Sequence, residues 1–299
     1  MIRYIINDKF RIKVTDHCNF NCPFCHAEGG KYMRDLQIDE AFLNVISLLS
    51  PLYHRVHITG GEPFLYPHLD ELINRLTKNR FQVALTTNGF FPLQENLSAI
   101  QKLDYMNISF HSLRTEYLSN LIGNSKDPGY VLSVIMENMK KLSGILPVRI
   151  NTVVSHPDTN QGIEEVLKFA GMLGFELKLV PEWKVRHEAM RQISRLLEEN
   201  DFRLFEKIYL LPGSNVRERY KNPAGQIVEV KNIILYQPDF LCKSCHQRTN
   251  CQEGFSFLRV GGSPLYLQPC IFGKKYGIQD FEKKILPDIQ AMFREVYEK

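Results

Sequence analysis

Tryptophan occurs once in these 299 residues, at Trp183, and no apolar run approaches the roughly 18 residues of a membrane span. The opening Met-Ile-Arg-Tyr-Ile-Ile-Asn-Asp lacks the apolar core and small-residue cleavage site of a secretory signal. An excess of either charge is also missing. The 37 Lys and Arg against 33 Asp and Glu leave +4, far short of the concentrated basic footprint of a nucleic-acid binder. A pI near 8.6 still suits an anionic small-molecule substrate. There is no internal repeat and no low-complexity segment. Cysteine is absent between Cys25 and Cys242, so the seven cysteines fall into a group of three and a group of four. These absences lead to the expectation of a cytoplasmic protein with no membrane or nucleic-acid partner. In that compartment clustered thiols serve metals or catalysis rather than disulfides.

Two periods alternate from residue 8 to about 200. β-Rich runs at Phe10–Val14, Arg55–Thr59, Gln82–Thr86, Tyr105–Phe110, Pro147–Val154 and Glu176–Val180 are spaced by helical patterns. The patterns lie at Ile38–Leu49, Leu69–Leu76, Val131–Leu142 and Ile163–Leu173. Six strand–helix units predict an α/β fold with a parallel sheet buried on both faces, and six is too few for a closed eight-stranded barrel. A partial barrel or an open sheet is expected. Residues 186–210 read as a polar helix ended by Leu211-Pro212-Gly213, Ile227–Val230 and Ile233–Tyr236 as strands, and Asp280–Lys299 as a charged helix. Chemistry in parallel α/β folds gathers where strands end. There lie Cys18, Gly60-Gly61-Glu62 and Thr87-Asn88-Gly89.

The stretch CNFNCPFC spaces Cys18, Cys22 and Cys25 as C-x3-C-x2-C. Three thiolates can wrap one side of a cuboidal iron–sulfur cluster and leave one iron open to a substrate or cofactor. A zinc site completed by His17 or His26 is the competing reading. In Gly60-Gly61-Glu62-Pro63, two glycines would free a backbone edge for a ligand, and the carboxylate would meet an ammonium group. A turn with a helix-capping Glu fits these residues equally well. Trp183 suits a cavity wall or the core, and His54, His68, His156, His187 and His246 receive no role.

CNFNCPFC, TGGEP, TTNG and NISFHSL together resemble the radical S-adenosylmethionine (SAM) enzymes. The resemblance implies a 4Fe-4S cluster on Cys18, Cys22 and Cys25, with SAM on its open iron. It implies SAM contacts from Gly60, Gly61, Glu62, Pro63, Thr87, Asn88, Ser109, Asn151 and Lys178. One electron would cleave SAM to a 5′-deoxyadenosyl radical that takes a hydrogen atom from the substrate. A reducing donor such as a flavodoxin or ferredoxin would supply that electron. Within the superfamily, RIKVTDHCNFNCPFCHAEGG, VHITGGEP, NISFHSLRTEYLSNLIG and VRINTVV are similar to the GTP cyclase of molybdenum-cofactor biosynthesis, as is VEVKNIILYQPDFLCKSC. This implies a partial (β/α)6 TIM-like barrel over residues 8–205. It also implies a Twitch- or SPASM-type extension over residues 206–299 holding a second 4Fe-4S cluster on Cys242, Cys245 and Cys270. Cys251 is one cysteine more than that pattern needs. It is either a fourth ligand or a thiol donating a hydrogen atom to a substrate radical, as in radical SAM epimerases.

The cyclase grips GTP with basic residues, and Arg11, Arg55, Arg149, Lys178 and Arg259 occupy matching positions. For any one of them, a surface or salt-bridge role is the plainer reading. His17, His57 and Phe257 stand where the cyclase is basic, and the final residues are not its glycine pair, so the resemblance makes His57 a substrate contact of altered kind. The expected function is hydrogen abstraction from a polar, nucleotide- or sugar-like molecule lying near the second cluster. The alternatives are a sugar or aminoglycoside epimerase, the GTP cyclase itself, a peptide maturase and a zinc-stabilised binding module. Peptide maturases carry an N-terminal recognition domain, for which Cys18 leaves no room.

Overall fold

A computed structural model describes residues 1–25, 35–123, 126–251 and 253–298, and among them twelve strands form one sheet. The strands are β1 (Ile2–Ile6), β2 (Lys9–Lys13), β3 (Arg55–Thr59), β4 (Gln82–Thr87), β5 (Tyr105–Ser109) and β6 (Val148–Val154). They continue with β7 (Glu176–Pro181), β8 (Arg203–Leu211), β9 (Asn215–Lys221), β10 (Ile227–Ile233), β11 (Arg259–Gly261) and β12 (Tyr266–Gln268). The helices are α1 (Glu40–Leu49), α2 (Leu69–Lys78), α3 (Leu93–Ile100), α4 (Thr115–Ile122) and α5 (Pro128–Leu142). After them come α6 (Ile163–Met172), α7 (Arg186–Glu199), α8 (Asp239–Cys242), α9 (Ile278–Lys284) and α10 (Leu286–Tyr297). None is long and apolar enough to cross a membrane.

β2 to β7 run parallel in chain order and form the expected partial barrel. Strand alternation sorts their side chains. Phe10, Ile12, Val56, Ile58, Leu85, Ile108, Ile150 and Leu177 pack with helix residues such as Phe42, Leu72 and Val166 in one apolar cluster. The opposite, concave face of the sheet is polar, carrying Lys9, Arg11, His57, Asn107, Asn151 and Lys178. α1 and α5 start where the charge pattern dictates. Asp39 accepts from the Phe42 backbone N–H (2.9 Å) and Asp127 from that of Tyr130 (2.6 Å).

Several elements differ from the sequence reading. The expected helix over 186–210 ends at Glu199, and Arg203–Leu211 is a strand. Its buried positions Glu206, Ile208 and Leu210 recur every second residue, which only a strand can place on one face. β1, unassigned from sequence, lies parallel to β8 at the far edge of the sheet from β12. Ile233–Tyr236 contributes only Ile233 to a strand, and Ile234 and Leu235 are exposed. The closing helix divides at Ile285, before Leu286-Pro287, because proline inside a helix removes an N–H donor.

Residues 254–258 close the curl between the two flanks of the sheet. Ser214 donates its backbone N–H to Phe255 (2.7 Å), Phe255 donates to Tyr236 (2.9 Å), and Arg11 donates to Leu258 (2.8 Å). Gly254 has φ +57°, and a Cβ there would fall 1.9 Å from the Ser214 hydroxyl. Buried Asn7 adds a side-chain clamp, donating from Nδ2 to the Ser256 carbonyl (2.7 Å) and the Pro212 carbonyl (3.4 Å). Asn7→Ala strips a donor from two carbonyls and should lower stability by about 1–3 kcal/mol in urea unfolding. An unchanged midpoint would show that the clamp contributes nothing.

Candidate active site

The loop bearing Cys18, Cys22 and Cys25 leaves the end of β2, and the end of β3 holds its start. Gly61 donates its N–H to Thr15 (2.8 Å) and Glu62 to His17 (2.7 Å). A Cβ on Gly61 would lie 2.0 Å from the His17 carbonyl oxygen, and one on Gly60 2.9 Å from that of Thr15. The double glycine therefore admits the chain's own backbone. Further on, the Asn21 N–H reaches the Leu121 carbonyl (2.6 Å), and the Cys25 N–H closes a turn on Cys22 (3.1 Å). Asn88 donates to the Asn19 side chain (2.6 Å), which donates on to the Phe90 carbonyl (3.0 Å). The Phe24 ring meets the buried His111 ring edge-on at 4.9 Å.

Cys18 and Cys25 are exposed and Cys22 is half-buried. Burial pushes the Cys22 thiol up to about 12, with Cys25 and Cys18 adding to the rise. Three sulfurs so close together repel one another as thiolates, and a cationic centre would relieve that. The donor set fits an iron–sulfur cluster held on three corners. Among the described residues, no three His, Cys, Asp or Glu side chains converge on a single-ion site. His26 lies outside the described residues.

Glu62 is fully buried and caps the turn Pro63–Leu65, accepting from Phe64 N–H (3.2 Å). It also accepts from the Thr87 hydroxyl (2.8 Å) and the Asn88 N–H (2.7 Å), which ties the end of β3 to the end of β4. Burial raises its carboxyl to about 7 against the pull of these hydrogen bonds. A cation arriving here would restore its charge. Ser109, Asn151 and Lys178 fall in one register row across β5, β6 and β7, and Glu229 of β10 continues that row.

Arg11 is the register partner of both His57 and Arg259. The remaining basic positions sit lower than a strand-end reading implies. Arg55 opens β3 and bonds Asp8 (2.5 Å) and the Ile6 carbonyl (2.8 Å). Arg149 is the second residue of β6 and bonds Glu176 (2.7 and 3.0 Å). Lys178 lies 2.6 Å from Glu229. The sequence reading missed Lys9 of β2, and it missed Arg217, Lys231 and Glu229 because β9 and the register of β10 were not recognised. Alternation within VRERYK and VEVKN was the available signal. Among the described residues, the buried polar atoms of the concave face without a hydrogen-bond partner include His57 Nδ1, Asn107 Oδ1 and Asn151 Oδ1. His57 Nε2 meets the Thr86 hydroxyl (2.6 Å) and the Asn107 amide nitrogen (3.3 Å). If the Asn107 amide donates here, the neutral ring carries its proton on Nδ1. Burial, reinforced by Lys9, Arg11, Lys178 and Arg149, holds the imidazole neutral.

The four C-terminal cysteines influence one another electrostatically. Burial lifts the Cys242 thiol to about 11, with contributions from Cys270, Cys245 and Cys251. The Cys245 N–H bonds the Cys242 carbonyl (3.1 Å), and Cys251 Sγ accepts from the Gly254 N–H (3.2 Å). Arg259 acts on Cys270, so this group borders the basic face. His246 is exposed, and Trp183 at 38% exposure is not a core residue.

Gly61→Ala should displace the cysteine loop and cut iron incorporation on anaerobic reconstitution to below about half, because its Cβ meets backbone. Full incorporation would show that the loop tolerates the shift. The folded protein holds the Glu62 proton more tightly than the unfolded chain, whose carboxyl sits near 4.5. That contribution is complete below about pH 4.5, declines as pH rises and is gone above about 7. The loss amounts to about 3 kcal/mol. Thermal melts of cluster-free protein from pH 5 to 7.5 should show this decline, and Glu62→Gln should flatten it. Parallel curves for the two proteins would contradict it.

Residues 12–170 match the radical SAM superfamily. Over 179 residues the chain is 34% identical to the GTP 3',8-cyclase of Aquifex aeolicus, covering 57% of this chain and 55% of that protein, so it spans about half of that relative. A probable GTP 3',8-cyclase of Thermococcus kodakarensis is 32% identical over 223 residues (73% and 67% covered). One from Saccharolobus solfataricus is 29% identical over 259 residues (80% and 78% covered). Among solved structures, Streptococcus suis SuiB bound to S-adenosylmethionine superposes with a TM-score of 0.61 at 15% identity, over 97% of this chain and 68% of that one. At that identity the likeness speaks for the fold. With three cysteines leaving the first strand of a partial barrel and a glycine–glutamate edge gripping their loop, the chain belongs to the radical SAM superfamily.

Proposed function

We propose that this enzyme cleaves SAM beside Cys18, Cys22 and Cys25 and abstracts hydrogen from a polar, anionic small molecule, nucleotide- or sugar-like, held on the concave face. The observation that carries this reading is the trio of partnerless buried atoms, His57 Nδ1, Asn107 Oδ1 and Asn151 Oδ1, on a face lined with Lys9, Arg11 and Lys178. Unsatisfied buried polar atoms cost about 1–3 kcal/mol each, which a hydrogen-bonding ligand would recover. When bound, the cluster and SAM supply one-electron reductive cleavage and hydrogen-atom abstraction.

The chain's own residues would position and shield. Glu62, held by Thr87 and Asn88, offers a buried carboxylate to the SAM ammonium, and Ser109 and Asn151 offer polar groups one strand apart. Lys9 and Arg11 offer positive charge to the substrate, and neutral His57 offers an N–H donor. Arg259 lies between this face and the second cysteine group, consistent with a substrate bridging the two. The relatives' names favour GTP as a second reading for the substrate.

Anaerobically reconstituted protein should hold about eight iron for two cubane clusters. It should form 5′-deoxyadenosine from SAM with dithionite. Stoichiometric zinc without iron would overturn the reading. Cys18→Ala, Cys22→Ala and Cys25→Ala should each abolish SAM cleavage. For Cys251 the proposed role is fourth ligand of the second cluster, since its sulfur acts on both Cys242 and Cys270. Cys251→Ala should then lose iron from that site and keep SAM cleavage. Full iron with substrate hydrogen abstraction but no product would instead make Cys251 the hydrogen-atom donor of an epimerase.

A further inference from the structure

Charge on the concave face is unevenly compensated. On β6, β7, β9 and β10 the cations have carboxylates. Glu229, 1% exposed, lies 2.6 Å from Lys178, 3.8 Å from Arg217 and 3.9 Å from Arg149. Glu176 takes Arg149 and Arg219, and Glu253 takes Lys231 (3.2 Å). Burial pushes the Glu229 carboxyl up, and Lys178, Arg217 and Arg149 more than reverse it, so the group is a carboxylate. Lys9 on β2 differs. The Lys9 ammonium sits over the Phe257 ring at 4.4 Å, and among the described residues no carboxylate lies within ion-pair distance of it. Burial, and after it the cations Arg217, Arg11, Lys178 and Arg55, push the Lys9 pKa well below its ordinary value, so an oxyanion arriving there would restore its charge. Near it is His57, whose buried Nδ1 has no hydrogen-bond partner among the described residues.

A buried carboxylate among three cations does what a substrate phosphate would do there, and it repels a second anion at close range. We propose that Glu229 is a specificity-determining residue: it fills the seat between Lys178, Arg217 and Arg149 and confines the substrate's negative charge to one phosphate-sized oxyanion at Lys9 beside His57. This rests on the proposed function, in which the concave face is the substrate site. A polyphosphate chain long enough to span both seats would place negative charge against Glu229. The enzyme therefore discriminates against triphosphates by a residue of its own sheet.

The test is calorimetric titration of the reconstituted holoenzyme with inorganic phosphate and with tripolyphosphate. The wild-type protein should bind tripolyphosphate no more than about tenfold tighter than phosphate. Glu229→Gln opens that seat to either anion and should raise tripolyphosphate affinity at least about tenfold more than it raises phosphate affinity. Lys9→Met should weaken phosphate binding at least about tenfold. A wild-type preference for tripolyphosphate beyond about a hundredfold overturns the proposal, as does an unshifted ratio in folded Glu229→Gln. If that variant fails to fold, the wild-type ratio and Lys9→Met decide the matter. SAM cleavage is measured on the same preparations. Cleavage with an unshifted ratio counts against Glu229 alone, and a shifted ratio without cleavage supports Glu229 and counts against the proposed reaction.

Discussion

Two backbone hydrogen bonds, from Gly61 to Thr15 and from Glu62 to His17, set the geometry on which the site depends. They extend the β2–β3 ladder past the last paired residues, Lys13 and Thr59, and so fix where the cysteine loop departs from the sheet. A side chain at position 61 would collide with backbone rather than with a movable neighbour. The same turn buries Glu62, whose carboxylate reaches Thr87 and Asn88, and Asn88 reaches back to Asn19 inside the loop. Three strand ends thus hold one another through a ring of hydrogen bonds, and Cys18 sits on that ring.

The polar inner face follows from strand alternation under an unusual constraint. Each of β2 to β7 gives one face to the helices and must be apolar there. A barrel interior filled with branched apolar residues would leave no room for a ligand. Here the interior positions are Lys9, Arg11, His57, Asn107, Arg149, Asn151 and Lys178, and their charge is partly met by Glu176 and Glu229. Such a network contributes little net stability, since burying each charge costs nearly what pairing returns. Its presence is better explained by binding than by folding. Residues 254–258 tie the flanks together, and the second cysteine group lies at the border of this face.

Hydrophobic periodicity alone located the six parallel strands and α1, α2, α5 and α6, because each has a sharp apolar stripe or alternation. The C-x3-C-x2-C spacing and the GGEP turn marked the first site because local spacing is itself the chemical requirement there. Other features were hidden for physical reasons. β8 carries charged residues at Glu206 and Lys207 that mimic a polar helix, and they are tolerated since Arg3 and Arg219 pair with Glu206 across strands distant in sequence. A salt-bridge role was the plainer reading for Lys178 and Arg149, but their shared partner Glu229 lies about 50 and 80 residues further along the chain, on β10.

The sequence by itself determined the superfamily, the cysteine spacing and the parallel core, all of which rest on short-range pattern. Tertiary structure alone decided which glycine faces backbone and which buried atoms lack partners. It also decided which cations on the concave face have a carboxylate. Those properties depend on contacts between strands brought side by side by the sheet order, and pairing energies across a fold leave no periodic signature along the chain.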